Sequence, residues 1–154
     1  MKYIIATMMV LNSFSGSIAS CNNQDRTRVQ NNDKNLNLDK KMKITIGATV
    51  FKATLYDNPT ASALKTILPL TINMSELNGN EKYFQFSNSL PTNAIPNINI
   101  ENGDLMLYRD NYLVVFYKSF NATYSYTRLG KIDNPTGLAA ALGKGAIVVK
   151  FELE

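Results

Sequence analysis

Histidine and tryptophan are absent from the 154-residue sequence, and cysteine occurs once, as Cys21. Without histidine the chain cannot build a Ser-His-Asp triad or an imidazole metal site. We therefore predict neither a bound metal nor a cofactor. The single cysteine excludes a disulfide within the chain.

A strong charge of one sign is also lacking over most of the sequence. The formal net charge is +4, but residues 22–41 hold five basic and three acidic side chains, whereas residues 42–154 hold ten and nine. A nucleic-acid-binding protein is expected to carry a basic patch on its folded part. We therefore predict no nucleic-acid partner.

The first 20 residues have the layout of a secretory signal peptide. Lys2 precedes the uncharged stretch "YIIATMMVLNSFSG", and small residues follow before Cys21. This is the order of charged start, apolar run and cleavage site. The apolar run is too short for a membrane-spanning helix, which needs about 20 residues.

The segment around Cys21 predicts a lipid anchor followed by a tether. Ile18-Ala19-Ser20-Cys21 resembles a bacterial lipobox, in which the peptide is cut before a cysteine that carries a diacylglycerol. An ordinary signal peptide with a chance cysteine nearby is the alternative. Residues 21–41 are rich in asparagine and charge, and they bury too little apolar surface to offset the entropy of ordering. We predict a flexible tether and a protein anchored to a membrane of the bacterial cell envelope, facing the periplasm or the exterior.

Residues 42–154 predict a single domain built mainly of strands. Period-two alternation and turn signals, of which Asn78-Gly79 is the strongest, delimit about eight strands. Several short strands with turns between them are typical of a sandwich or a barrel. The stretch "YLVVFY" (residues 112–117) is apolar on both faces, so we expect one face to look into the core and a helix to cover the other.

The tetrapeptide Asp-Asn-Pro-Thr occurs twice, from Asp57 and from Asp133. Asparagine is a leading N-cap residue, and proline is favoured at the first helical position. We therefore predict one short helix that begins at Asn58-Pro59 and another that begins at Asn134-Pro135. No further self-similarity accompanies the tetrapeptide, which indicates one cap chemistry used twice and no internal duplication.

Four stretches resemble the bacterial cyclophilin-like domain family, and the resemblance covers nearly all of residues 42–154. They are "VFKATLYDNPTASALKTILPL", "MSELNGNEKYF", "GDLMLYRDNYLVVFYKSF" and "TRLGKIDNPTGLAAAL". The resemblance implies a mainly β fold, a closed or nearly closed eight-stranded barrel with two short capping helices. True cyclophilins are peptidyl-prolyl isomerases that use an arginine in a Phe-His-Arg stretch. Arg109 and Arg128 lie in other contexts, so the resemblance carries no catalytic residue onto this chain.

Aromatic side chains are in excess between residues 108 and 126. Core packing accounts for aromatic residues in strands. The alternative is a groove on the side of the barrel, where tyrosines suit a peptide or a small ligand. The candidate ligand-binding residues are Tyr83, Tyr117, Tyr124 and Arg128. We favour a non-catalytic binding module, with a divergent prolyl isomerase acting on exported proteins as the alternative.

Three acidic residues are further candidates. Glu76 and Glu81 flank the Asn78-Gly79 turn, where they can meet as a carboxylate pair. The same residues also suit a tight, solvated hairpin turn, and we predict that the two glutamates are ordinary surface charges. Asp104, which follows Gly103, is predicted to anchor the start of a strand.

Overall fold

The computed structural model describes residues 40–154. The predicted signal peptide (residues 1–20), the lipidated Cys21 and most of the tether lie outside the described residues, so these remain predictions. The first strand begins at Lys41, one residue before the predicted start of the domain. In the described part of the chain, neither helix has the length and apolar character needed to cross a membrane.

Ten strands and two helices follow one another along residues 40–154. In chain order they are β1 (Lys41–Ile46), β2 (Thr49–Leu55), α1 (Pro59–Thr66), β3 (Leu70–Leu77), β4 (Glu81–Gln85), β5 (Asn99–Ile100), β6 (Asp104–Tyr108), β7 (Tyr112–Phe116), β8 (Phe120–Asn121), β9 (Tyr126–Ile132), α2 (Leu138–Leu142) and β10 (Ile147–Leu153).

Eight of these strands close an antiparallel barrel, which confirms the predicted fold class. Their order around the barrel is β1-β10-β3-β4-β7-β6-β9-β2, and β2 pairs back with β1. The turn between β3 and β4 is the predicted one, because Asn78 and Gly79 both have positive φ (54° and 68°), as a type I′ hairpin requires. The short strands β5 and β8, which the sequence did not predict, form a separate two-stranded sheet.

Apolar side chains from alternate positions of the barrel strands fill the interior. The two helices add Ala61 and Leu64 from α1 and Leu138 and Leu142 from α2 to this inner cluster. Each fully buried leucine side chain stabilises the fold by about 1.5–3 kcal/mol. The two short helices thus pack onto the barrel core, as the sequence predicts.

The repeated tetrapeptide begins a helix only once. The Asn58 side chain accepts a hydrogen bond from the N–H of Ala61 at 2.8 Å, which confirms the predicted start of α1. The predicted start of the second helix at Asn134-Pro135 is wrong, because α2 begins at Leu138. Asn134 Oδ1 instead accepts a hydrogen bond from the N–H of Thr136 at 3.1 Å, so the side chain stabilises a turn and does not cap a helix.

Strand β7 is covered on its outer face by other strands and loops. Val114 and Phe116 point away from the barrel interior and pack in an outer cluster with Ile98, Ile100 and Ala122, which belong to β5, β8 and their flanks. The predicted helical cover is therefore wrong, since both helices pack on the inner cluster. This outer layer leaves part of the β4–β7–β6 surface open.

Candidate functional site

An open groove of about 590 Å³ lies on the outer face of β4, β7 and β6. We name it the tyrosine groove after five of its lining residues, which are Tyr83, Tyr108, Tyr112, Tyr124 and Tyr126. Strand pairing brings four of them together, because Tyr83 lies opposite Val114 and Tyr108 lies opposite both Tyr112 and Tyr126. Tyr124 lies between β8 and β9. Side chains at directly paired positions project from the same face of a sheet.

The rings of the tyrosine groove form a connected array around Tyr108. Its ring centroid lies 5.5 Å from that of Tyr126, 5.8 Å from that of Tyr124 and 6.0 Å from that of Tyr112. These separations fall within the range at which aromatic pairs stabilise each other by about 0.5–1.5 kcal/mol. The rings therefore stabilise one another in this arrangement.

The hydroxyl groups of the groove are available to a ligand. Within residues 40–154 Tyr117 is the tyrosine whose hydroxyl makes a hydrogen bond, and it lies outside the groove. Burial, followed by the charge of Glu81, raises the pKa of Tyr126 to about 12, so this phenol is a neutral donor at physiological pH. Tyr124 is 64% exposed at the rim of the groove.

Glu81 lines one end of the groove and is only 7% exposed. The prediction of an ordinary surface charge is wrong for this residue. Burial first, and the charge of Glu76 second, raise the pKa of Glu81 to about 7, since a low-dielectric site disfavours the ionised carboxylate.

Glu76 lies on the inner side of the same hairpin, where its carboxylate contacts Lys82 and Tyr117. Its carboxylate sits 2.5 Å from Lys82 Nζ and accepts a hydrogen bond of 2.6 Å from the Tyr117 hydroxyl. Burial acts to raise the pKa of Glu76, but the contacts with Lys82 and the Tyr117 hydroxyl outweigh it and the pKa is lowered. Lys82 is fully buried and also donates to the carbonyls of Gly143 and Gly145 at 3.0 and 2.6 Å. This cluster is a polar plug that fastens the loop after α2, and Glu76 Oε2 is held in it by the ion pair with Lys82 alone.

The structure brings two of the four predicted ligand-binding residues together. Tyr83 and Tyr124 both line the tyrosine groove. Tyr117 faces the barrel interior, where its hydroxyl is bound to Glu76. Arg128 lies in a different groove.

This second groove has a volume of about 270 Å³ and runs past the start of α1. The Arg128 guanidinium lies 3.9 Å from the buried carboxylate of Asp104, and the Arg128 carbonyl accepts a hydrogen bond of 2.9 Å from Asn58. Asp104 also accepts a hydrogen bond from the N–H of Glu101 at 2.9 Å, which confirms its predicted role at the start of β6.

Several residues of the tyrosine groove were missed from the sequence. They are Tyr108, Arg109, Tyr112, Tyr126 and Glu81. Period two along β7 is the signal that could have found some of them, because it puts Tyr112 and Val114 on one face and Tyr117 on the other. The burial of Glu81 has no local signal.

The groove offers the chemistry of phenols, one carboxyl group and one guanidinium. Within residues 40–154, no group of three or more acidic, thiol or imidazole side chains is placed to hold a metal ion. The Arg109 guanidinium lies 5.5 Å from the centre of the Tyr108 ring, at the end of the groove formed by the β6–β7 turn.

Comparison with known proteins identifies a family and a fold. The model of the family described as "Cyclophilin-like family" matches residues 44–152. A solution structure of a hypothetical protein from Archaeoglobus fulgidus is similar, with a TM-score of 0.57 and 19% sequence identity over 77% of this chain and 97% of that one. At this identity the likeness concerns the fold alone. No curated protein matches the sequence.

Proposed function

The chain belongs to the cyclophilin-like family, and from this premise we propose that it is a non-catalytic binding module that holds a peptide segment or a small molecule in the tyrosine groove. The observation that carries the proposal is the groove itself, an open space of about 590 Å³ lined by five tyrosines. Ligand sites are concave and largely apolar, with a few polar groups that orient the ligand. Tyrosine supplies both properties in one side chain.

The proposal is tested by resolving the tyrosine rings while ligands are added. NMR spectra of the chain with ¹³C-labelled tyrosine rings would be recorded with a set of capped peptides and small molecules. We expect binders to shift the signals of Tyr83, Tyr108 and Tyr112 together. Ligands that shift only rings outside the groove, or a set without any binder, would contradict the proposal.

A matched pair of variants locates the site. Tyr124→Ala removes an exposed ring at the rim, and we expect it to weaken binding by about threefold to tenfold, the loss of one aromatic contact. Tyr56→Ala removes a ring of the second groove and should leave the affinity unchanged. Equal losses in the two variants would place the ligand elsewhere.

A divergent prolyl isomerase is the second candidate, and one observation favours it. Arg109, one of the two arginines of the domain, borders the tyrosine groove, whereas Arg128 borders the other groove. Under the preferred proposal, a proline-containing peptide isomerises at the solvent rate in the presence of the chain. Catalysis that Arg109→Ala abolishes and Arg128→Ala preserves would instead establish the isomerase.

The proposal includes attachment to a membrane of the bacterial cell envelope through Cys21. The lipobox-like Ile18-Ala19-Ser20-Cys21 and the apolar segment before it support this part. Two or more acyl chains on one residue anchor a protein stably. Labelling of the chain with a radioactive fatty acid in a bacterial host tests it, and Cys21→Ala should abolish the label. A label that survives this substitution would contradict the anchor.

A further inference from the structure

The two ends of the tyrosine groove carry opposite charges. Glu81 pairs with Phe116 at one end of β7, and Arg109 lies in the turn that precedes Tyr112 at the other end. The four residue steps along β7 from Tyr112 to Phe116 correspond to about 13 Å at roughly 3.3 Å per residue. Arg109 is therefore too distant to act as the partner of Glu81.

Glu81 lacks a partner of any kind within residues 40–154. The residue is only 7% exposed, its carboxyl group makes neither a hydrogen bond nor an ion pair there, and the charge that acts on it is the negative one of Glu76. A buried carboxyl group without a partner is costly for a fold. At the same end of the groove, the Asn80 side-chain oxygen also has no hydrogen-bond partner among the described residues.

Aromatic rings surround the Glu81 end. Tyr83 projects from the same face of β4 two residues further on, and Phe116 lies directly opposite Glu81 on β7. The Phe116 ring in turn meets the Tyr126 ring at a centroid separation of 5.4 Å. Aromatic faces attract cations, and they do so more strongly where water is excluded.

We propose that the Glu81 end of the tyrosine groove binds an organic cation, an ammonium group on an apolar body, with Glu81 as its counter-ion and the rings of Tyr83 and Tyr126 beside it. The inference rests on the proposed binding function and names its ligand class. Two sources share this chemistry, which are the lysine side chain of a peptide and a small quaternary ammonium compound. A cation supplies what the buried carboxyl group lacks, and its apolar body suits the rings.

Glu81 is the group at this end of the groove whose pKa is raised to about 7. The titratable and charged groups around it are Glu76 on β3, Lys82 and Tyr83 on β4, Tyr117 and Lys118 after β7, and Tyr126 on β9. The pKa of Glu76 is lowered, so this group stays ionised, and the pKa values of Tyr117 and Tyr126 are raised to about 12. Because a cation binds the ionised form of Glu81, its affinity should rise as the pH passes upward through about 7.

Choline and its uncharged isostere 3,3-dimethylbutan-1-ol provide the test, since the charge of choline does not change with pH. Their binding to the full chain would be measured by NMR of the tyrosine rings at about pH 5.5 and about pH 8.5. We expect choline to bind at least about tenfold more tightly than the isostere at the higher pH, and to lose about tenfold in affinity at the lower one.

Two variants test whether Glu81 causes the preference for choline and its pH dependence. Glu81→Gln keeps the shape of the side chain, and it should abolish both the preference for choline and its pH dependence. Glu101→Gln removes an exposed carboxylate outside the groove and should leave both unchanged. Unchanged chemical shifts of rings outside the groove would show that Glu81→Gln folds normally.

A second pair of probes tests the source of the cation. Capped lysine compared with capped norleucine extends the test to a peptide source, and a preference for lysine larger than that for choline would identify the peptide as the ligand. Equal binding of choline and the isostere would overturn the cation while leaving the binding function in place. Failure of all four probes to shift the groove rings would also overturn the cation, and the wider ligand screen would then decide the binding function separately.

Discussion

Two carboxyl groups of one hairpin, Glu76 and Glu81, have opposite surroundings. Glu76 faces the barrel interior, where Lys82 and the Tyr117 hydroxyl hold its pKa down despite burial. Glu81 faces the tyrosine groove, where burial and the charge of Glu76 raise its pKa to about 7. Successive side chains of β3 and β4 point to opposite faces of the sheet, so the Glu76 and Glu81 carboxyl groups lie on opposite faces.

The raised pKa of Glu81 predicts a specific pH dependence of stability. The folded chain keeps the Glu81 proton up to about pH 7, whereas the unfolded chain releases it near 4.5, so the contribution of Glu81 is fully present below 4.5 and is lost as the pH rises through about 7. We expect Glu81→Gln to lack this loss and to exceed the unaltered chain in unfolding free energy by on the order of 2 kcal/mol above pH 7, a value reduced because the groove opens to water.

Urea unfolding at a series of pH values measures this difference. Glu101→Gln, which alters an exposed carboxylate, serves as the control. Parallel stability curves for Glu81→Gln and the unaltered chain between about pH 4.5 and 7 would show that Glu81 is not a perturbed acid.

Lys82 is the second residue whose burial has a measurable consequence. Lys82→Met keeps a similar side-chain volume but leaves Glu76 and the carbonyls of Gly143 and Gly145 without their donor. We expect a loss of about 3–5 kcal/mol in unfolding free energy, as for one partner removed from a buried ion pair. Lys150→Met, on the exposed side of β10, should change it by less than about 0.5 kcal/mol. A similar small change for Lys82→Met would mean that the plug contributes little.

At the scale of elements, the two copies of Asp-Asn-Pro-Thr show that the residues after the asparagine determine whether it caps a helix. After Asn58 the chain continues directly into α1. After Asn134 the chain passes through Gly137, whose φ of 82° lies in the left-handed region, and α2 starts only beyond it. Asp133 is meanwhile held by Thr54 and Lys41 at 2.6 and 2.9 Å, so the second copy begins a turn fastened to the barrel wall.

The difference between the two caps predicts unequal costs. Asn58→Ala removes the bond to the N–H of Ala61 and the bond to the Arg128 carbonyl, and it should lower the unfolding free energy by about 1–2 kcal/mol. Asn134→Ala removes one exposed turn bond and should cost less than about 0.5 kcal/mol. Chemical denaturation of both variants checks this, and equal costs would contradict the assignment of a single helix cap.

At the scale of the whole molecule, closure of the barrel depends on the contact between β2 and β9. Gly130 lies in β9 opposite Leu55. A Cβ atom added at Gly130 would lie 2.5 Å from the carbonyl oxygen of Thr54 and 3.0 Å from the Cα of Leu55. Glycine is therefore what allows these two strands to meet.

Gly130→Ala should open this seam. We expect a loss of about 1–3 kcal/mol, because the clash is with backbone and cannot be relieved by turning a side chain. Hydrogen exchange should then quicken first at the amides of β2 and β9. Val148→Ala, an exposed position of β10, is the control and should leave that exchange unchanged. Uniform exchange in both variants would mean that the seam does not limit closure.

Much of the fold could be predicted because its signals act over short stretches of chain. Alternation identified the eight barrel strands, and the Asn78-Gly79 pair identified a hairpin turn. The strands β5 and β8 have two residues each, which is too short for a period to show. The sequence therefore does not predict these strands. It also predicts a helix over the outer face of β7, which these strands and their flanks cover.

The candidate site was predicted only in part, since its walls come from distant segments. Tyr83 and Tyr124 were identified, but Tyr117 was assigned to the same face as its neighbours although period two turns it inward. Arg128 lies in another groove, and this position depends on which strand lies beside β9. Sequence distance carries no information about that neighbour.

By itself the sequence determined the strands, the main hairpin turn and the start of α1, because alternation, turn geometry and capping act between residues a few positions apart. Only the tertiary structure decided that Glu81 is buried and that five tyrosines share one groove. The order β4-β7-β6-β9 brings together residues that lie far apart along the chain, and the environment of a side chain, with its pKa, is set by whatever packs against it.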